Sequence, residues 1–260
     1  MSSIAEIYTE AVYENLKPLY GNWEPGRPVK LGDFGLLRGR IFIYLGNIEE
    51  RGISFQTRTD PAKDQKYFSS AGDTQINFYA KGSVTSSGVV NEKARVEIRF
   101  SSRKAVFFNA AGCSYTMIAD KVALGRRVMD LFRRGEWQRE WAIVTDLVEA
   151  ESTTLAVSGA DQAAIAFEAT SDVPYIDLAD AAIGLEVKMA SNIGYQVVAE
   201  KGLVPLFGLC KIQNAFLWWG DEFNPLSRRM TDLNVRRALE DSPLVRTEES
   251  DEALFFAQLQ

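Results

Sequence analysis

From residue 94 to residue 100 the chain alternates strictly. Ala94, Val96, Ile98 and Phe100 are apolar, and Arg95, Glu97 and Arg99 between them are charged. A period of two puts apolar groups on one face of an extended strand and charges on the other. The spacing predicts paired strands at 76–84 and 94–108, joined at Ser86, Ser87 and Gly88. A second long strand is expected over 141–157, bent or broken near Glu149, with 163–170 pairing back on it across Gly159. Two amphipathic hairpin regions, 76–108 and 141–170, therefore have to be accommodated by any fold of this chain.

The charges around them are sorted. Residues 93–139 hold eleven Lys and Arg against four Asp and Glu, a net of +7, and residues 140–200 hold eleven acids against Lys188 alone, a net of −10. The whole chain carries −6. That argues against a nucleic-acid partner, because nonspecific binding to phosphates needs an excess of cations. Histidine is absent, which removes the usual Ser/His/Asp and Cys/His nucleophile systems. Cys113 and Cys210 lie far apart in apolar settings and read as buried free thiols rather than a zinc site. Asp33-Phe34-Gly35 spells a kinase motif without its partner sequences and reads as a turn between short strands. Glu149 and Glu151 are the carboxylate pair a glycosidase could use, but on one strand face they are expected to point to solvent. An enzyme is not favoured, and no cofactor or metal is expected.

The remaining pattern completes an α+β chain, a twisted and mostly antiparallel sheet with flanking helices. Ser3 and Glu6 form a capping-box pattern ahead of a helix over 3–17, ended by Pro18 and Gly21. Short strands are expected at 29–31, 41–45 and 53–57, and a polar loop over 58–74. A helix follows over 116–134, with Ile118, Val122, Met129 and Phe132 on one face. Further strands are expected at 185–189, 195–199 and 206–212, then a Trp218-Trp219 corner and a last helix over 225–240. With 46% hydrophobic residues over 260 positions the chain can bury a sizeable core. No basic region precedes an apolar run at the start, and no run of 18 apolar residues occurs. A cytoplasmic location in the resting state is expected, so that reaching a membrane would require rearrangement. Residues 1–240 read as the body and 241–260 as a tail. From Glu240 onward six acids face Arg246 alone, and the tail ends in the apolar Leu254, Phe255, Phe256 and Leu259, fit to dock on the body.

Three passages carry a family resemblance. Phe78-Tyr79 opens a Gly/Ser/Val-rich strand followed by the alternating one. An amphipathic helix carries Val128, Leu131 and Arg134-Gly135. The strand Trp141-Ala142-Ile143-Val144-Thr145-Asp146 continues through Val148, Glu149 and Ala150 into a Thr-rich strand. Their order, over about 80 of 260 residues, resembles the gasdermin pore-forming domain. Bacterial gasdermins end in a short inhibitory segment, as this tail would; Ser2 and Ser3 stand where they carry a lipidated cysteine. The resemblance implies a gasdermin N-domain-like fold and an autoinhibited pore former. After a caspase-like or other protease removes the tail, it would oligomerise, move to the cell membrane and permeabilise it as a cell-death defence effector. Membrane lipids and further copies of the chain would be its other partners. Within that expectation Arg95, Arg99, Arg126, Arg127, Arg133 and Arg134 contact anionic lipid. The Ala94, Val96, Ile98 and Phe100 face enters the bilayer, and Leu254, Phe255, Phe256 and Leu259 dock the tail. Arg246 or Leu244 precedes the cut. The alternatives are a non-enzymatic protein-binding or structural, phage-related module and, second, a carboxylate-dependent hydrolase.

Overall fold

Ser3 does cap a helix, α1 (Ile4–Leu16): its hydroxyl accepts from the Glu6 amide at 3.2 Å, and the Glu6 carboxylate accepts from the Ser3 amide at 2.7 Å. The computed structural model describes residues 2–84, 88, 90–199, 202–214, 245–246 and 253–259. Within them α1 is followed by β1 (Tyr20–Gly21), β2 (Asp33–Arg38), β3 (Ile41–Asn47) and a 3-10 turn (Ile48–Arg51). Next come β4 (Thr57–Ser69), β5 (Thr74–Tyr79), β6 (Arg95–Phe100), β7 (Val106–Ile118) and α2 (Lys121–Arg133). The chain continues through β8 (Ala142–Ala150), β9 (Ser152–Ser158), β10 (Ala163–Ala169), β11 (Leu185–Ser191), β12 (Ile193–Ala199) and β13 (Leu203–Asn214). It closes with β14 (Val245–Arg246) and β15 (Ala253–Gln258). The fold is α+β, with every strand pairing antiparallel.

Among the described residues eleven strands form one large sheet, and β11-β10-β6-β5 form a second. The spine of the large sheet is β7. Along one edge it pairs with β4, and along the other with β9 and then β8, which are the two halves of one strand broken at Glu151. On one face of the large sheet Tyr8 and Val12 of α1 pack over Phe68, Val106, Phe108, Leu155 and Val157. On the other, Val96, Ile98, Phe100, Ile165 and Phe167 of the second sheet pack over Phe107 and Ala156. At the far end of β7, Leu124, Val128 and Met129 of α2 close a third cluster over Ile118, Ile143 and Ile212. Asp120 caps α2 by accepting from the Ala123 amide at 2.8 Å. Lys121 ties its first turn to β8 through both carboxylate oxygens of Asp146, at 2.7 Å each.

Several expectations need correction. The segment 58–74 is mostly strand β4, not a loop. Its residues up to Gln65 are exposed on both faces because, among the described residues, it has β7 as its only partner and lies at an edge. Charges, Pro61 and an irregular register protect such an edge from further pairing and also erase the alternation by which strands are read. The expected strand over 94–108 is two strands, interrupted at 101–105. Residues 163–169 do not pair back on 141–157: β10 leaves the large sheet after Gly159 and pairs with β6 and β11, while β9 pairs with β7 and β12. The helix starts at Lys121 rather than 116, since Thr116, Met117 and Ile118 belong to β7, and Val122 is exposed. Residues 29–31 and 53–56 are not strands. Asp33-Phe34-Gly35 is not a turn but the start of β2. There the buried Asp33 carboxylate accepts from the Lys30 amide at 2.8 Å and Asn47 Nδ2 at 2.9 Å, and burial pushes its pKa upward. The expected helix over 225–240, the Trp218-Trp219 corner, Ser86 and Ser87 lie outside the described residues. Both cysteines are buried free thiols, as expected, and burial pushes each up to about 11.

Two outcomes check this packing. A Cβ at Gly35 would collide with the carbonyl oxygen of Ile43 in the neighbouring strand, so Gly35→Ala should lower the unfolding free energy by roughly 1–3 kcal/mol in a urea titration. Cys113 and Cys210 should resist iodoacetamide at neutral pH and react only once the chain is unfolded.

Candidate functional site

The second sheet is the continuation of the large one. Its order, β11-β10-β6-β5, repeats the order β12-β9-β7-β4 of the large sheet, with each strand following from its counterpart along the chain. Residues 70–105 therefore form an excursion between the paired strands β4 and β7. Residues 159–192 form one of similar length between the paired strands β9 and β12. The chain from β4 to β7 and the chain from β9 to β12 are thus two long hairpins, other than the expected 76–108 and 141–170, each with its distal half folded over onto its own proximal half.

The register across the fold line makes this more than a resemblance of order. In the large sheet Met117 faces Asp146, Ser114 faces Glu149, Ala111 faces Ser152 and Val106 faces Val157. In the second sheet Phe100 faces Ala163 and Arg95 faces Glu168. From Val106 back to Phe100 and from Val157 on to Ala163 both strands advance six residues, so the pairing crosses the line without a net slip. At the line the Ser158 amide donates to Ala105 O at 2.9 Å in the same register, and the Lys104 amide donates to Ser158 O at 3.3 Å one residue out of it, a local irregularity that the far side of the line makes up. In the first hairpin the outer pairing runs from Ser69 opposite Phe107 to Thr74 opposite Phe100, an offset of two that preserves which face each side chain takes. Val84 bridges Val90 towards the tip, where Gly88 adopts φ of 80°.

The two faces of the distal half differ sharply. One carries Ile76 and Phe78 of β5, Ala94, Val96, Ile98 and Phe100, and the facing Ala163, Ile165 and Phe167 of β10, an apolar band. Ala94, Val96, Ile98 and Phe100, the face expected from the sequence, are at most 1% exposed. Phe78 is 55% exposed at the edge. The other face carries Arg95, Glu97 and Arg99 with Glu168, Glu186 and Lys188. Glu97 is held by Arg99 Nε at 3.1 Å and the Tyr79 hydroxyl at 3.2 Å, with Arg95 Nη2 at 3.9 Å. Ion pairs Lys81–Asp172 and Lys93–Glu186 join the two hairpins, and Lys188–Glu168 links β11 to β10 within the second.

The arginines expected to act together are in two places. Arg95 and Arg99 stand on the polar face just described. Arg126, Arg127, Arg133 and Arg134 are exposed on α2, at the opposite end of β7, about 40 Å along the strand from the fold line. Arg133 and Arg134 pair locally with Asp130 and Glu136. Arg103 and Lys104, exposed at the line itself, were not singled out from the sequence; their position emerges only once the break at 101–105 is known. Glu149 and Glu151 are exposed, as expected, and Glu151 pairs with Lys63.

In the tail, β15 pairs with Cys210 to Asn214 of β13, Phe256 packs against Gly125 of α2, and Leu259 is buried among Tyr13, Tyr20 and Phe207. The side chains of Leu254 and Phe255 and all of Leu244 lie outside the described residues. Arg246, expected to precede the cut, stands in β14 opposite Ala253. No protein-family model matches the chain, and no curated protein matches its sequence. Removing the buried Glu97 carboxylate leaves Arg95, Arg99 and Tyr79 without their shared acceptor, so Glu97→Ala should cost roughly 1–3 kcal/mol in chemical denaturation.

Proposed function

We propose that this chain is a pore-forming protein, resting in the cytoplasm and acting at a membrane, in which the folded-over ribbon straightens into two adjacent hairpins that cross the bilayer. The observation that carries this reading is the register that β6–β7 and β8–β9–β10 share on both sides of the fold line. Straightening would need no strand to re-pair at the centre of the ribbon. A crossing strand requires about 9–11 residues, and Val90 to Phe100 supplies eleven. The apolar band would exchange the core of the sandwich for lipid, and the face of Arg95, Glu97 and Arg99 would meet a water-filled lumen, as a spanning barrel requires. Several copies must join, because unpaired strand edges cannot sit in hydrocarbon. Among the described residues no helix is long and apolar enough to cross a membrane, so the reading rests on strands alone.

Position along the ribbon reassigns the lipid-facing arginines. With the fold line at the bilayer surface, Arg103 and Lys104 lie at headgroup level, where each basic residue contributes roughly 1 kcal/mol. The α2 arginines would stand well above it. Tail docking through β15, Phe256 and Leu259 fits an inhibitory role, and a protease that cuts before β15 would free both the β13 edge and the α2 surface. Cell death as a defence is the biological use that the gasdermin resemblance suggests.

Dye release from anionic vesicles tests this. Residues 1–246 should release dye and full-length protein should not, with Phe256→Asp in the full chain behaving like the truncation. Phe78 is already exposed, so Phe78→Arg should fold normally yet lose most of the release, since an arginine at mid-bilayer costs roughly 2–4 kcal/mol. Gln75→Arg, on the polar face, should stay active. Intact vesicles with the truncated chain would favour a binding module that never enters a membrane.

A further inference from the structure

Every strand of the ribbon crosses the fold line through one residue in the left-handed region. Between β4 and β5 it is Gly72 (φ 76°), between β6 and β7 Lys104 (φ 75°), between β9 and β10 Gln162 (φ 57°), and between β11 and β12 Asn192 (φ 55°). Among the described residues, four that are not glycine adopt such a φ, and three of them are on this line; the fourth is Glu24. Glycine takes this conformation freely and asparagine tolerates it, whereas lysine and glutamine bring Cβ against the following carbonyl oxygen. The two unfavourable residues stand where the two central chains cross the line, between ladders of one shared register.

The alternation of faces gives the geometric reason. Phe100 and Phe107 share one cluster, as do Ala163 and Ala156, although each pair is an odd number of residues apart. Each central strand therefore inverts its sidedness once as it folds over. In an extended strand the inversion disappears, and Ala94 to Phe100 would share a face with Val106 and Phe108. Lys104 and Gln162 would then return to ordinary β geometry.

We propose that the fold line is a strained hinge, in which Lys104 and Gln162 are held left-handed by the buried sandwich and release that strain when the ribbon straightens. The proposal rests on the pore-forming reading for its use, but the strain itself is a property of the folded chain. The surroundings hold the conformation in place: the Arg103 amide donates to Asp161 Oδ1 at 2.8 Å, the Val106 amide to Ser70 Oγ at 2.9 Å, and the Ser101 hydroxyl to Asp73 Oδ1 at 3.1 Å. Each strained residue biases the equilibrium towards the straight form by roughly tenfold. A permanent sandwich would be better served by glycine at both positions.

The test uses the Lys104→Gly/Gln162→Gly double variant and the single variants Lys104→Val and Gln162→Val, each as full-length and as residues 1–246. Two quantities are read: the urea midpoint of the full-length protein and the half-time of dye release by the truncated one. The double glycine variant should keep or raise the midpoint and slow release tenfold or more, while each valine variant lowers the midpoint and speeds release. Release at the wild-type rate by all variants, with wild type active, overturns the hinge and leaves the pore reading standing. If no truncated protein releases dye, the pore reading falls and the midpoints decide the hinge. A drop with valine but not glycine upholds the strain, and equal midpoints overturn it. Should a valine variant fail to fold, the glycine variant alone carries the comparison.

Discussion

The pairing of β7 with the broken strand 142–158 is the constraint on which the rest of the structure depends. It sets the centre of the large sheet, with β4 added on one side and β12 on the other. It also fixes the second sheet, because β6 and β10 carry the same register past the fold line. A sandwich of two independently paired sheets has no reason to share one register. A single ribbon bent across its middle does, and its two layers then have equal order and matched edges.

What keeps the ribbon bent is the burial of its apolar band. Val96, Ile98, Phe100, Ile165 and Phe167 are wholly buried or nearly so, each worth roughly 1.5–3 kcal/mol relative to water. Lipid offers those side chains almost the same relief. Water does not, and that difference favours the bent form in solution and, on the proposed reading, would allow a straight one at a bilayer. The polar face loses little in either state, since its charges are paired with one another rather than with the body. The two ends of β7 thus have separate tasks. The α2 end closes a core with β15 and holds the tail, while the other end carries the part that would move.

Much of this is legible in residues read one by one. The alternation at 94–100, the pairing of the segment from 76 with that from 94, the Gly88 turn, the break in the second long strand, the capping box at Ser3 and the burial of both cysteines all follow from local pattern. The pairing of 163–170 back onto 141–157 does not hold, because the partners of β10 are β6 and β11. The fold line was not legible. Residues 101–105, Ser-Ser-Arg-Lys-Ala, invert the faces of the strand between two apolar runs, and without a glycine or proline to mark the break one strand is expected where two exist. β4 escaped because an edge strand exposed on both faces has no alternation to detect. The six arginines looked like one basic block because charge was counted along the chain, whereas β7 carries α2 about 40 Å away from Arg95 and Arg99.

The central claim is that the two sheets are one ribbon able to straighten. Spin labels at Glu92→Cys, near the tip of the first hairpin, and Glu149→Cys, in β8, read this directly, as both sites are exposed. Glu149 pairs with Ser114, so a straight ribbon places the labels about 70 Å apart at 3.2–3.4 Å per residue. In solution the bent form brings Glu92 back over the large sheet and gives a much shorter distance. The account predicts that residues 1–246 on anionic vesicles shift to the long distance while full-length protein keeps the short one. A short distance in both, on vesicles that have released their dye, would contradict it.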